Sequence, residues 1–159
     1  MRYIFIDRIS SLTPGESLRA VKNVTATDDL VTRYAPGVRV FPASMVLEAM
    51  AQAAGLLAVA SIAGRALPVL AKVRPFTSYR DAVPGDQLSL DARLEDVRVD
   101  GCRASVNASI ESEPVGAATI YLAFVPFQEA AADARAPVMA ALADAFPAWF
   151  AAGGPETPQ

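Results

Sequence analysis

The chain has 159 residues, 53% of them hydrophobic and 19% charged, with a formal net charge of −3. That length favours one domain with a sizeable core, and the composition excludes intrinsic disorder over most of it. The acidic total, with no basic–aromatic patterning, argues against nucleic acid as a partner.

In chain order, strands come first. Arg2 to Ser11 alternates Tyr3, Phe5 and Ile9 with other residues, Thr13-Pro14-Gly15-Glu16 is a turn signal, and Ser17 to Thr25 alternates Leu18, Ala20 and, after a slip, Val24. A hairpin is predicted there. Asp28 to Leu30 could start a short helical turn, and Arg33 to Ala43 is predicted as loop because Pro36-Gly37 and Pro42 interrupt it. The strongest helix follows, Ser44 to Ala63, rich in Ala and Leu and closed by Gly64. It is apolar nearly all round, as a buried helix is. Pro42 near its first turn and Ser44 as a cap suit its start.

Strand signals return at Leu67 to Tyr79, then the turn Val83-Pro84-Gly85-Asp86, then Gln87 to Val99 with Leu88, Leu90, Ala92 and Leu94 in phase. Asp100-Gly101 is a two-residue hairpin signal. Cys102 to Ser112 runs back on what reads as an outer strand, and Val115 to Val125 closes the set. A strand pair, a long buried helix and a meander of strands amount to an α+β fold, an antiparallel sheet wrapped around a central helix. Residues 1–127 form this domain. Residues 128–159 are an appendage, in which Val138 to Phe150 reads as an amphipathic helix kinked at Pro147, packing on its own domain or a dimer mate. A membrane-surface role is disfavoured because its polar face carries Asp144 and no Lys or Arg. The end from Gly153 is expected to fray.

The longest mild apolar stretch, Ala49 to Ala63, contains Gln52 and Ser61 and falls short of the ~20 residues of a membrane span. No basic start with an apolar run marks a secretory signal, so a cytoplasmic protein without membrane association is expected. The chain contains one cysteine and no histidine. Intrachain disulfides, His-ligated metals and His general bases are therefore excluded. No metal and no cofactor is expected.

At Tyr34 to Gln52 the sequence reads Y-A-P-G-V-R-V-F-P-A-S-M-V-L-E-A-M-A-Q. This resembles the active-site segment of the hotdog-fold (3R)-hydroxyacyl-acyl-carrier-protein dehydratases of the FabZ/FabA type, roughly H-F-P-G-H-P-V-M-P-G, four residues, then E-A-M-A-Q. F-I-D-R-I at Phe5 to Ile9, K-N-V-T at Lys22 to Thr25 and V-P-G-D-Q-L at Val83 to Leu88 are similar to that family in the same order, over nearly all of residues 1–125. The resemblance implies a hotdog fold, a dimer or trimer of dimers, and an acyl thioester on acyl carrier protein or coenzyme A as partner. The family's base on C2 is a His, and its acid is a Glu or Asp on the central helix, from different subunits. The acid falls on Glu48. The His position is Tyr34, the next Phe is Ala35, and the loop-ending Gly is Ala43.

Glu48 is a lone carboxylate in an apolar helix, where burial is costly without a partner or a purpose, and in a dry tunnel its pKa is expected to rise. Gln52, one turn on, could hold Glu48 or a substrate hydroxyl, or merely pack. Tyr34 is a poor base at pH 7, because a phenol titrates near 10, but it can donate a hydrogen bond. The backbone at Ala43 and Ser44, at a helix N-terminus, suits a thioester carbonyl, with Pro36, Gly37 and Pro42 shaping the loop beside it. Cys102 reads as an inert small residue. Residues 33–80 carry Arg33, Arg39, Arg65, Lys72, Arg74 and Arg80 against Glu48 alone, a basic zone suited to an acidic carrier or to phosphates, or simply a solvated face. The reading is an acyl-thioester-binding protein of fatty-acid or polyketide-type biosynthesis. An intact dehydratase using Glu48 with Tyr34, a thioesterase using Glu48, and a non-catalytic partner of a His-bearing dehydratase are the alternatives.

Overall fold

The computed structural model of the chain describes residues 4–28, 31–35 and 37–127, with Ala140, Ala143, Asp144 and Pro147. The expected appendage otherwise lies outside the described residues, as do Pro36 and most of the turn expected at Asp28 to Leu30.

The helix α1 (Ala43–Ser61) lies against a six-stranded antiparallel sheet. Two strands of that sheet precede it, β1 (Arg8–Thr13) and β2 (Ser17–Asn23), paired as the expected hairpin. The ladder begins at Arg8 rather than Arg2. Phe5 and Ile6 are buried in the core without joining it, so their apolar character serves packing. Four strands follow, β5 (Ala66–Ser78), β6 (Gln87–Val97), β7 (Gly101–Ile110) and β8 (Glu113–Pro126). The segment expected as loop from Arg33 instead forms a small hairpin, β3 (Thr32–Ala35) with β4 (Val38–Val40), before the isolated bridge of Phe41 to Ala82. Gly37, at φ +87, sits at the reversal, and Pro42 falls beyond β4 rather than inside it.

The strand order is β1-β2-β6-β7-β8-β5, which departs from a simple meander. The turn after β5 is tied to the end of β2, where the Val24 N–H donates to the Asp86 carbonyl (2.9 Å) and the Gly85 N–H to the Val24 carbonyl (2.9 Å). β6 therefore pairs with β2, and β5 lies at the far edge beside β8. Cys102 is a correction of the same kind. Its strand β7 lies between β6 and β8, not at an edge, and its side chain is buried.

Period-2 alternation turns Leu18 and Ala20, Leu88, Leu90 and Ala92, Ala104, Val106 and Ala108, and Ala118 and Ile120 toward the helix. α1 answers with Ala49, Ala53, Ala54, Ala58, Met50 and Leu57, and small side chains on both layers let helix and sheet approach closely. Gly101 marks another close approach: a Cβ there would lie 2.4 Å from the Leu122 carbonyl oxygen. By length and composition α1 could cross a membrane, where the sequence showed no such stretch. It packs instead against β2, β5, β6, β7 and β8 as the core helix of the sheet.

Burial pushes the Cys102 thiol up to about 11. Cys102 should therefore stay unreactive toward a disulfide reagent at pH 8 in the folded protein and react on unfolding. The folded thiol holds its proton more tightly than the unfolded one. Its contribution to stability is thus complete below the unfolded value and is lost as pH rises toward 11. Rapid labelling of the native chain would contradict this.

Candidate functional site

The N-terminus of α1 is set by Pro42, whose extended backbone (φ −60, ψ 146) makes it the N-cap. The cap expected at Ser44 is thereby corrected. The helix starts at Ala43, so Ser44 already lies in the first turn, exposed, and no side-chain cap bond forms. The Pro42 carbonyl accepts from the N–H groups of Met45 (2.8 Å) and Val46 (3.1 Å). No acidic side chain occupies this turn, so its positive end is not neutralised from within the helix.

Glu48 follows one turn later, half-buried, on the stripe of α1 that includes Ser44, Leu47, Ala51 and Gly55 and is not fully covered by the chain's own sheet. Gln52 is one turn further and does hold it, its Nε2 donating to Glu48 Oε1 at 2.9 Å. The Gln52 Oε1 accepts the Phe5 backbone N–H at 2.8 Å. With its carbonyl committed to Phe5, the amide can offer Glu48 only its NH₂ group. Among the described residues no other hydrogen bond or ion pair reaches the carboxylate.

Tyr34 lies in β3, Gly37 at the turn after it, and Pro42, Ala43 and Ser44 at the helix start. The fold thus brings Glu48, Gln52 and the helix N-terminus onto one element, with the Tyr34 hairpin immediately before it in the chain. One contributor and one buried cation were missed in the sequence. The Phe5 amide carries no signal, because any residue supplies a backbone N–H. Lys22 does carry one: it falls in phase with Leu18 and Ala20, so β2 turns it inward, and the expected slip before Val24 does not occur. Among the described residues no group of three or more His, Cys, Asp or Glu side chains could hold a metal ion.

A model of the FabA-like domain matches residues 2–121. The 3-hydroxyacyl-[acyl-carrier-protein] dehydratase FabZ of Listeria monocytogenes is 32% identical over 122 residues, spanning 76% of this chain and 85% of its own length. Among solved structures, the dehydratase heterocomplex ApeI:P from Xenorhabdus doucetiae has a TM-score of 0.69 at 13% identity, over 80% of this chain and 86% of that one. A hypothetical thioesterase with coenzyme A from Streptococcus pneumoniae has a TM-score of 0.62 at 12% identity, over 75% and 88%.

Proposed function

The chain belongs to the FabA-like family and has the hotdog fold, and from that premise we propose that it binds acyl thioesters of acyl carrier protein or coenzyme A in fatty-acid or polyketide-type biosynthesis. The observation that carries this reading is the Phe5–Gln52–Glu48 relay, which aims one carboxylate beside a helix N-terminus. The thioester carbonyl is taken by N–H groups of the first turn around Ala43 and Ser44, within a mouth shaped by Gly37 and Pro42. Glu48 addresses the 3-hydroxyl, and Tyr34 donates a hydrogen bond without serving as a base. Exposed Arg39, Arg65, Lys72, Arg74 and Arg80 suit the phosphates or acidic surface of the carrier.

A second copy covers what this chain leaves open, as a homodimer or trimer of dimers. β5 is a 13-residue edge strand with Val69 and Leu70 at 41% and 48% exposure, a surface that invites pairing. The partner-subunit reading rests on a further observation. With no histidine in the chain, any His at this site must come from another protein, and a structural neighbour is a dehydratase heterocomplex.

Titration with a hydrolysis-resistant 3-hydroxyacyl thioether of coenzyme A tests the proposal. Wild type should bind, and Glu48→Ala should weaken binding by about tenfold or more, the worth of a charge-assisted hydrogen bond. No binding by wild type, or equal binding by Glu48→Ala, would overturn it. With the true thioester, free thiol released by wild type would replace binding with hydrolysis. Restored dehydration on mixing with a His-bearing relative would favour the partner role.

A further inference from the structure

Lys22 stands on the helix-facing side of β2, opposite the fully buried Leu88 of β6, in a position where the alternation calls for an apolar residue. Its side chain is only 10% exposed. An ammonium there must be offset by partners. Its Nζ lies 3.3 Å from Asp28 Oδ2 and 3.9 Å from Asp7 Oδ1, and 5.9 Å from the centroid of the Phe41 ring. Each partner belongs to a different segment bordering the candidate site. Asp28 lies on the stretch leading to β3, which carries Tyr34. Phe41 immediately precedes the Pro42 N-cap. Asp7 is two residues from Phe5, whose amide holds Gln52.

The Asp7 side is firmly built. Its N–H donates to the Val21 carbonyl at 2.8 Å, and its Oδ2 accepts from the Asn23 backbone N–H and from Asn23 Nδ2. The Phe5 ring packs at 57° to the Phe41 ring, centroids 6.1 Å apart. The ammonium and these two rings therefore join the N-terminal segment to the start of α1. A shift of either segment would move the Phe5 N–H against Gln52 Oε1, and with it the amide that orients Glu48.

We infer that Lys22 is a positioning residue for the Glu48–Gln52 pair, acting through Asp7 and the Phe5 amide rather than on a ligand. The inference rests on Glu48 being the working carboxylate, and its test reads the amides directly so that the two can fail separately. In the full chain, hydrogen exchange of the Phe5 amide and the Gln52 side-chain NH₂ resonances are compared in wild type, Lys22→Met and Lys22→Arg. Lys22→Met should speed Phe5 exchange by about tenfold or more and shift the Gln52 NH₂ signals, while the Leu90 and Ile120 amides of β6 and β8 keep their protection. Lys22→Arg should restore both readings toward wild type.

Should Lys22→Met fail to fold, Asp7→Asn decides, because it leaves the ammonium paired with Asp28 and should produce the same local change in smaller measure. Unchanged Phe5 and Gln52 readings in a folded variant overturn the inference, and so does a loss of protection spread evenly over the sheet. A wild type that binds no thioester but shows the local change keeps the positioning and loses the function.

Discussion

Replacing Tyr34 with His should give this protein hydration of a 2-enoyl thioester at about a hundredfold or more above wild type, the lower end of what a positioned general base contributes. On the proposed reading, the helix N-terminus at Ala43 and Glu48, with the Gln52 that bonds it, supply the other parts of the site. Wild type has no imidazole anywhere. A phenol with an ordinary pKa near 10 is almost wholly protonated at pH 7, whereas an imidazole near 6.5 is largely available as a base. Tyr34 lies in β3, and the resemblance aligns it with the family's His, so on the proposed reading one substitution adds the missing group. The measurement is loss of enoyl absorbance, with free thiol followed in the same tube. Adding Glu48→Gln to Tyr34→His should return the rate to the wild-type level, since base and acid act on the same substrate. A silent Tyr34→His would show that more than the base is lacking. Hydration by wild type would assign the chemistry to Glu48 with Tyr34.

The second large effect is on stability. Leu57 is fully buried within α1. Leu57→Ala should cost about 2–5 kcal/mol, the transfer of the lost methyl groups plus the cavity left behind. That is a large part of the ~5–15 kcal/mol by which a domain is stable. Urea unfolding should show a lower midpoint with an unchanged slope. Leu47, half-buried on the open stripe of the same helix, is the control. Leu47→Ala should cost clearly less if the chain stands alone, and a comparable loss would mean that a second copy covers Leu47. A Leu57→Ala cost below ~1 kcal/mol would contradict the packing described here.

The legible parts of the candidate site were those carried by one continuous stretch. Glu48 and Gln52 are four residues apart in a helical pattern, so their meeting follows from helix geometry, and the 2.9 Å bond between them is a local event. The third member of the relay is 47 residues away in sequence, and it is a backbone amide. No residue type marks it. The cap was misplaced for a related reason: Ser at a helix start is a sound signal, but Pro42 supplies the extended backbone two residues before Ser44. Lys22 was misread because the alternation was trusted less than the side-chain type. A lysine in phase with Leu18 and Ala20 looked like a slip, whereas the strand keeps its phase and buries the cation beside Asp28 and Asp7.

By itself the sequence determined the long elements, the family and the limits of the chemistry. Period-2 runs such as Leu88, Leu90 and Ala92, the Asp100-Gly101 turn and the Ala-rich helix are each decided by residues a few positions apart. The zero count of histidine excludes an internal imidazole whatever the fold. Only the tertiary structure decided that β5 lies beyond β8, that β7 and Cys102 are central, that Lys22 is buried beside Asp7 and Asp28, and that the Phe5 amide holds Gln52. Alternation specifies which face of a strand is buried but not which neighbour it pairs with. That choice is made by contacts between distant segments, here the bonds joining Val24 to the Gly85–Asp86 turn and Phe5 to Gln52.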